Sequence, residues 1–368
     1  MNHYPKIKRK RKMSKTVVHI VGTGTIGEPL IGMLIDFKDD LGIDEVTFHK
    51  NTPLRGDRSK VLDLLRRGAR LAVKKDAKNG FLELGITPTY ESIEAIDNAT
   101  VVIDCTPRGI GHKNKTDYYS KFTHNTKGFI AQGSEFGFGI PYARGVNDEA
   151  LKPGEDQFIQ VVSCNTHNIS SLINTIAYHD KDYDNLIQGQ FVCIRRANDI
   201  SQETNFIPAP EVGIHSDENY GTHHARDAAV LFKTLGVDPN IFSSAMKVNS
   251  QYMHVLYFSI KVKQDLTLER VYELLAANPL VAMTHKLSSS TVFSFGRDHG
   301  HYGRILNETV VVKPTLHVKD GHEVIGYSFT PQDGNSLLSS ISAALWLIDP
   351  ETHHERLQSL KDLFFSEV

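Results

Sequence analysis

The sequence predicts an α/β protein in which a doubly wound parallel sheet precedes an α+β region built on a mixed or antiparallel sheet. Short β-branched segments alternate with helical patterns over about the first 150 residues, as they do where helices connect parallel strands. Beyond about residue 160 the strand candidates are longer and make up more of the sequence. The length of 368 residues is sufficient for two domains of ordinary size.

Four strand candidates and two helical patterns support the parallel sheet. The strand candidates are residues 16–22 (TVVHIVG), 45–50 (EVTFHK), 100–106 (TVVIDCT) and 127–133 (KGFIAQG). A helical pattern of Leu30, Leu34 and Ile35 follows the first strand. Residues 59–75 predict an amphipathic helix with cations on its outer side. We therefore expect one domain over residues 16–160.

The second half predicts a different architecture. Its strand candidates are residues 158–164 (FIQVVSC), 189–197 (GQFVCIRRA), 253–263 (MHVLYFSIKVK) and 304–330, with a hairpin turn at Lys319-Asp320-Gly321. Residues 266–277 predict a helix between these strands, and residues 336–349 predict a terminal helix. We expect a catalytic domain at residues 161–330 and a C-terminal helical segment at residues 331–368 that packs back on the first domain.

The charge distribution is uneven although the formal net charge is -2. Residues 1–15 contain seven basic residues and no acidic residue, whereas the remainder contains 34 basic and 43 acidic residues. We expect this arm to be disordered and nucleic acid not to be a partner; an arm that binds nucleic acid is the alternative from another class. No apolar run approaches the roughly 20 residues of a membrane span, so we expect no membrane partner.

The three cysteines form a sparse, odd-numbered set, which predicts a reducing, cytoplasmic compartment. No CxxC pair and no histidine spacing indicates a metal site. Cys105 and Cys193 lie in apolar strand runs, where a buried and inert thiol is the default. Cys164 ends a β-branched strand and precedes a polar helix start, where the helix dipole would lower the pKa of its thiol. Cys164 is therefore a candidate nucleophile.

A glycine-rich motif predicts dinucleotide binding. Gly22-Thr23-Gly24-Thr25-Ile26-Gly27 is a complete GxGxxG between a strand and a helix. Gly22 permits the tight turn, Gly24 lets a pyrophosphate approach the backbone, and Gly27 permits close packing of helix and strand. The helix N-terminus then offers N–H groups to phosphate. We expect residues 16–160 to form a Rossmann domain that binds NAD or NADP.

The end of the second strand bears on the choice of cofactor. An NAD-specific site would have an acidic residue here, but the sequence is His49-Lys50-Asn51-Thr52. Lys50 and a nearby hydroxyl would attract a 2′-phosphate, so we predict that NADP is accepted.

Basic side chains elsewhere suit an anionic substrate. Arg195 and Arg196 close an apolar strand, and residues 221–227 (GTHHARD) contain His223, His224 and Arg226. A base for the thiol cannot be chosen from composition alone, because the chain has 18 histidines. The candidates are His167, His179, His215, His223, His224 and His254.

Five segments occur in an order that resembles a known family. They are residues 104–115 (DCTPRGIGHKNK), 161–166 (VVSCNT), 195–202 (RRANDISQ), 222–227 (THHARD) and 252–262 (YMHVLYFSIKV). From about residue 16 to about residue 345 the chain resembles the archaeal-type (type II) phosphorylating glyceraldehyde-3-phosphate dehydrogenases.

The resemblance implies oxidation of D-glyceraldehyde 3-phosphate to 1,3-bisphosphoglycerate, and the reverse reduction, in glycolysis and gluconeogenesis. The reaction would use NAD or NADP, inorganic phosphate as co-substrate and no metal, and would pass through a cysteine thioester. The enzyme would be a homotetramer. Cys164 would be the nucleophile and His254 the base. The substrate would contact Ser163, Asn165, Arg195, His223 and His224, and the cofactor would contact Thr25, Ile26, Gly133, Ser134, Arg196 and Gln332.

The chain departs from the family pattern around the substrate and cofactor. It has THHARD where the family has SHHGPD, RRANDI where the family has RRGADP, and Ser134 in place of a glycine. These departures lie where the resemblance places the rim of the substrate site and the floor of the cofactor site. Another acyl-phosphate reductase of the same architecture, such as an aspartate-semialdehyde or erythrose-4-phosphate dehydrogenase, is the alternative, and a catalytically silent cofactor sensor is a third.

Overall fold

The computed structural model describes residues 15–199, 206–331 and 333–368. Two eight-stranded sheets form its framework. The predicted basic arm lies outside the described residues except for Lys15. The division of the chain at residues 160 and 330 stays a prediction.

The first sheet is entirely parallel. Its strands are β1 (Val17–Val21), β2 (Glu45–His49), β3 (Arg70–Val73), β4 (Tyr90–Glu91), β5 (Val101–Asp104), β6 (Gly128–Ala131), β7 (Ile140–Tyr142) and β8 (Phe158–Val161). The helices α1 (Gly27–Asp36), α2 (Arg58–Arg66), α3 (Lys78–Glu83), α4 (Ser92–Asn98) and α5 (Ile110–Asp117) lie between these strands in the chain. Every residue of β1 is buried, as expected for a strand whose two faces are both covered.

The strand order of the first sheet creates a binding crevice. The order is β4-β3-β2-β1-β5-β6-β8-β7, so the chain runs outward from β1 and then returns to place β5 on its other side. In open parallel sheets, ligands bind beyond the carboxyl ends of the strands at such a reversal. The crevice is therefore expected next to the ends of β1 and β5.

The second sheet is mixed. Its strands are β9 (Leu186–Arg195), β10 (Glu211–Val212), β11 (Ile241–Lys247), β12 (His254–Val262), β13 (Val281–Thr284), β14 (Thr309–Val312), β15 (His317–Lys319) and β16 (Glu323–Thr330). The order is β10-β11-β9-β12-β16-β14-β13, with β15 also beside β16. The helices α6 (Cys164–Ile176), α7 (His223–Lys233), α8 (Leu268–Ala277), α9 (Ser289–His299), α10 (Asn335–Ile348) and α11 (His353–Leu357) complete the chain. The predicted fold class is confirmed.

Helix α10 packs on the first sheet, helix α6 packs on the second, and the two helices contact each other. All residues of α10 are buried, and Leu337, Ile341 and Leu345 share one apolar core with residues of the first sheet. The terminal helix thus packs back on the first sheet, as predicted. Helix α6 packs on the second sheet through Ile169 and Leu172. Within the described ranges, no helix has the length and apolarity required to cross a bilayer.

Two predicted elements were wrong. The helix predicted over residues 59–75 is α2 followed by β3, because Gly68 adopts φ +111 and ends the helical path. Residues 158–164 were predicted as a strand of the second architecture, but β8 pairs with β6 and β7 in the first sheet. The predicted hairpin turn is confirmed: Asp320 and Gly321 have φ of 52° and 73° between antiparallel β15 and β16.

Candidate active site

A cavity of about 1160 Å³ lies beyond the carboxyl ends of β1, β2 and β5. The first half contributes the loops that follow these strands, and the second half contributes Arg196, Met253, Arg304 and Asp333. The cavity therefore lies at the crevice that the strand order predicts, between residues of both sheets.

The glycine motif has the geometry that a pyrophosphate requires. Gly22 has φ +104 and its N–H donates to the His49 carbonyl at 3.2 Å. A Cβ added to Gly27 would lie 2.1 Å from the Gly22 carbonyl oxygen, so only glycine permits this approach of α1. A Cβ added to Gly24 would meet no atom within 4 Å, which leaves open space on the cavity side of the loop. Helix α1 starts after Ile26 without a side-chain cap. These residues fit a dinucleotide.

The sequence argument found no acidic residue beside Lys50 at the end of the second strand, but the structure places Asp57 there. The Lys50 Nζ lies 2.6 Å from Asp57 Oδ2. Lys60 Nζ lies 3.2 Å from the other oxygen of Asp57 and donates to the Thr23 carbonyl at 3.1 Å. The sequence argument missed Asp57 because this residue lies eight positions after His49, the last residue of β2, in a short 3-10 turn.

The other predicted cofactor residues lie at or beside the same cavity, apart from Gln332, which lies outside the described residues. Thr25, Ile26 and Ser134 line it. A Cβ on Gly133 would lie 2.4 Å from the Ser163 nitrogen, so glycine lets this loop contact the start of α6. Arg196 is 4% exposed and pairs with Asp199 at 2.9 Å and Asp333 at 3.2 Å. Its buried Nε has no hydrogen-bond partner in the part of the chain that the structure describes.

Cys164 is the first residue of α6, as the sequence predicts. Ser163 is the N-cap, and its Oγ accepts a hydrogen bond from the Thr166 N–H at 3.4 Å. The prediction of a lowered thiol pKa is wrong for the free protein, because burial raises the pKa of Cys164 to about 12. Asp333 raises it further, while Arg196 and Arg195 lower it. The thiol is therefore protonated at neutral pH.

His254 begins β12 and is 4% exposed. Its Nδ1 lies 3.1 Å from Asn165 Oδ1. A carboxamide oxygen only accepts hydrogen bonds, so the proton of a neutral imidazole lies on Nδ1 and Nε2 keeps its lone pair. Burial holds the pKa of His254 well below its usual range, with further contributions from Arg196 and Arg195. His254 is thus a neutral base, beside the same two arginines as Cys164.

A buried polar network supports this imidazole. Thr330 lies opposite His254 in the pairing of β12 and β16, and its Oγ1 donates to Asn165 Oδ1 at 3.3 Å. Asn168 Nδ2 donates to Thr330 Oγ1 at 2.8 Å, and Ser328 Oγ donates to Asn168 Oδ1 at 3.0 Å. The network fixes the orientation of the Asn165 carboxamide. Sequence reasoning missed Thr330, Ser328 and Asn168, because a single small polar residue in a strand or a helix has no pattern that marks it.

His223 and His224 form the first turn of α7, with ring centroids 3.9 Å apart. His224 is 3% exposed, and neither of its ring nitrogens has a hydrogen-bond partner among the residues that the structure describes. Within the same described ranges, the buried Nε of Arg195 also lacks a partner. Burial, Arg195, Arg226 and Arg108 together lower the pKa of His223 to about 4. Donors of this kind can hold an anion. The sequence analysis did not identify Arg108 as a candidate site residue, although it lies in the segment 104–115 that resembles the family.

The remaining candidates lie elsewhere. His167 bonds Ser339 and the Ser163 carbonyl inside the core, and His215 bonds Ser244. His179 bonds the Ile176 carbonyl at the end of α6. Burial raises the pKa of Cys193 and of Cys105, although Cys105 lines the cavity. Among the residues that the structure describes, no group of three or more His, Cys, Asp or Glu side chains is arranged to hold a metal.

Several curated proteins that are similar to this chain have the name glyceraldehyde-3-phosphate dehydrogenase. The Methanobacterium bryantii protein is 28% identical over 318 residues, which cover 83% of this chain and 86% of its own. The Pyrococcus furiosus protein is 27% identical over 342 residues, 89% of this chain and 92% of its own. The Sulfolobus acidocaldarius protein is 26% identical over 322 residues, 85% and 86% of the two chains. No protein-family model matches the chain.

The similar proteins span nearly the whole of the two-sheet architecture and come from archaea, as the motifs predict. The resemblance is thereby confirmed, and the chain is an oxidoreductase related to the archaeal-type glyceraldehyde-3-phosphate dehydrogenases.

Proposed function

We propose that the protein catalyses the phosphorylating oxidation of D-glyceraldehyde 3-phosphate to 1,3-bisphosphoglycerate, and the reverse reduction, with NAD or NADP. One observation carries the proposal. Cys164, in the first turn of α6, and the neutral His254 lie beside a cavity that fits a dinucleotide. The same two arginines, Arg195 and Arg196, lower the pKa of both side chains. The names of the similar proteins support the same reaction.

In this proposal the substrate phosphate binds His223, His224 and Arg195. The ring nitrogens of His224 and the Nε of Arg195 are buried without a hydrogen-bond partner from residues 15–199, 206–331 and 333–368, and an anion would satisfy them. A bound phosphate would also offset the positive charges that lower the basicity of His254. Substrate binding would therefore raise the pKa of His254 and make it a better proton acceptor.

His254 Nε2 then accepts and holds the proton of the Cys164 thiol, and the thiolate attacks the aldehyde carbon to form the alkoxide of a hemithioacetal as the C=O π bond breaks. The thiol pKa near 12 makes this transfer unfavourable in the free protein, so it is coupled to the attack. The backbone N–H of Asn165 stabilises negative charge at the sulfur. When bound, the dinucleotide supplies the hydride acceptor. Inorganic phosphate displaces Cys164 from the resulting thioester, which releases the acyl phosphate and returns the thiolate.

Both coenzymes are proposed to serve, because Lys50 and Lys60 line the cavity near the end of β2. A place in glycolysis and gluconeogenesis and a cytoplasmic location follow from the same reaction.

A homotetramer is part of the proposal. On the face of the second sheet opposite α6, the side chains of Val192, Ile194, Val255 and Tyr257 are only half-buried, and Tyr327 is 40% exposed. A second copy of the chain would cover this apolar face. Light scattering is expected to give four times the mass of one chain, and a monomeric mass would contradict this part of the proposal.

The test is a phosphate-dependent assay that follows the absorbance of reduced nicotinamide. Wild-type protein is expected to oxidise glyceraldehyde 3-phosphate with either coenzyme and only in the presence of inorganic phosphate. Erythrose 4-phosphate and aspartate semialdehyde serve as competing substrates, and a higher kcat/KM for either would assign a different acyl-phosphate reductase.

Cys164→Ala is expected to abolish turnover, because no other thiol takes its place at the start of α6. Binding of NAD by the same variant should stay at the wild-type level, which isothermal titration calorimetry measures. Cys193→Ala is the matched control, since Cys193 is buried within β9, and it should keep its activity. Appreciable turnover by Cys164→Ala would overturn the assignment of the nucleophile.

A further inference from the structure

Two lysines at the β2 end of the cavity share one carboxylate. Asp57 Oδ2 lies 2.6 Å from the Lys50 ammonium, and Asp57 Oδ1 lies 3.2 Å from the Lys60 ammonium. Both lysines line the cavity. Lys60 also donates to the carbonyl of Thr23 at 3.1 Å, so it contacts the glycine motif directly. We call Lys50, Asp57 and Lys60 the lysine–aspartate cluster.

The cluster is held in place by the fold. Lys50 follows β2, while Asp57 and Lys60 lie one turn apart at the start of α2. The three side chains are 16%, 26% and 24% exposed, so their charges are only partly screened by water. Glu28 lies 3.7 Å from Lys60. The two lysines therefore face two carboxylates, and the formal charge of these four side chains is zero. The two ammonium groups are thus positioned, but their attraction for an anion is offset.

This arrangement bears on the adenosine ribose of a dinucleotide. In a site of this architecture the ribose lies at the end of the second strand, and the cofactors differ there by one phosphate group. NAD has no phosphate at this position that could compete with Asp57 for the two ammonium groups. The 2′-phosphate of NADP can bond both ammonium groups, but only in competition with Asp57.

We propose that Asp57 and Lys60 set the coenzyme selectivity: Lys60 joins Lys50 in holding the 2′-phosphate, and Asp57 limits the preference for it. The inference rests on the proposed function, since it requires that the cavity binds a dinucleotide. Another cation of the same wall, Arg67, is already engaged, because it bonds Asp36 at 2.7 Å and stacks on Tyr302 at 4.6 Å.

The proposal predicts opposite shifts from two single substitutions. Asp57→Asn removes the competing charge and keeps the shape, so the ratio of kcat/KM for NADP over NAD should rise about tenfold, equivalent to ~1.4 kcal/mol. Lys60→Gln removes one phosphate ligand, so the same ratio should fall about tenfold. Arg55→Gln is the matched control, because Arg55 is an exposed cation in the same turn and does not line the cavity; its ratio should equal that of wild type.

Binding is measured separately from turnover. Calorimetric titration of each variant with NAD and with NADP, in a Cys164→Ala background, should reproduce the shifts in Kd. Ratios that stay at the wild-type value in both Asp57→Asn and Lys60→Gln, while both dinucleotides still bind, would overturn the inference. An equal shift in Arg55→Gln would also overturn it, because long-range charge would then explain the effect. Failure of wild-type protein to bind either dinucleotide would instead contradict the proposed function.

Discussion

The two side chains proposed to react with the substrate are both neutral in the free protein. Burial raises the pKa of the Cys164 thiol to about 12 and lowers the pKa of His254. The helix dipole, which the sequence argument invoked for Cys164, is worth about 1 kcal/mol or less at most sites, and desolvation of a thiolate exceeds it here. The sequence located both residues, but it could not reveal their burial, which arises from segments far apart in the chain.

The hydrogen bond between Asn165 and His254 leads to a prediction about the base. Asn165→Ala removes the acceptor of the Nδ1 proton, so the imidazole can adopt the other tautomer, with Nε2 protonated and unable to accept. We expect the rate of the first turnover to fall about 100-fold, the contribution typical of a positioned general base. Rapid mixing that follows the burst of reduced coenzyme across a range of pH measures this rate.

The control for that experiment is Thr330→Val. It removes a hydroxyl that bonds the same carboxamide oxygen, yet it leaves the Asn165–His254 bond in place. Its burst rate should stay within about tenfold of wild type, with an unchanged pH profile. A wild-type burst in Asn165→Ala would show that the carboxamide does not hold the tautomer.

At the scale of elements, the sequence predicted strand positions well and helix ends less well. Residues 59–75 have a helical apolar period throughout, but the left-handed φ of Gly68 divides them into α2 and β3. Residues 158–164 have the composition of any buried strand, so nothing local assigns β8 to the first sheet. Periodicity reports which side of a segment is apolar. It does not report which sheet the segment joins.

The loop between β1 and α1 leads to a paired prediction. Gly24→Ala places a methyl group in open space, so the melting temperature should be unchanged, but the methyl occupies the path proposed for the pyrophosphate. Gly27→Ala drives a methyl group into the Gly22 carbonyl, so both stability and binding should be lost.

Thermal melting and calorimetric titration with NAD check this pair. We expect the Kd for NAD to rise at least tenfold in Gly24→Ala, equivalent to ~1.4 kcal/mol. Gly56→Ala serves as the control, because its added Cβ also meets no atom within 4 Å and Gly56 lies outside the cavity lining. Tight binding of NAD by Gly24→Ala would show that the pyrophosphate lies elsewhere.

At the scale of the whole molecule, the candidate site is assembled from distant parts of the chain. His254 and Asn165 are 89 positions apart, and Arg196 and Asp333 are 137 positions apart. Helix α6 begins at Cys164, directly after β8 of the first sheet, and packs on the second sheet through Ile169 and Leu172, so one helix links the two sheets beside the site. Contacts at such separations follow from the topology. The resemblance to a family could name their members, but composition and periodicity could not.

Buried histidines make the whole fold sensitive to acid. Burial lowers the pKa of His19 to about 3 and those of His49 and His167 to about 4. An unfolded histidine has a pKa near 6.5. Between about pH 6.5 and pH 4 the unfolded state therefore binds more protons than the folded state, and the free energy of unfolding falls as the pH falls. The stability that these neutral imidazoles represent is fully present only above about pH 6.5.

Glu308 acts in the opposite direction and limits stability at higher pH. It is 3% exposed, and burial raises its pKa to about 8. An unfolded glutamate has lost its proton above about pH 4.3, whereas folded Glu308 keeps its proton until about pH 8, so stability falls as the pH rises through this window. Between about pH 6.5 and pH 8, where the histidines no longer titrate, the loss of this one proton lowers the free energy of unfolding by up to ~1.4 kcal/mol per pH unit.

Glu308→Gln removes this dependence because glutamine does not ionise. Chemical denaturation at a series of pH values should therefore show the wild-type free energy of unfolding declining across that interval and a flatter profile for Glu308→Gln. A flat wild-type profile would contradict the raised pKa of Glu308, and a decline that persists unchanged in the variant would assign the pH dependence to another group.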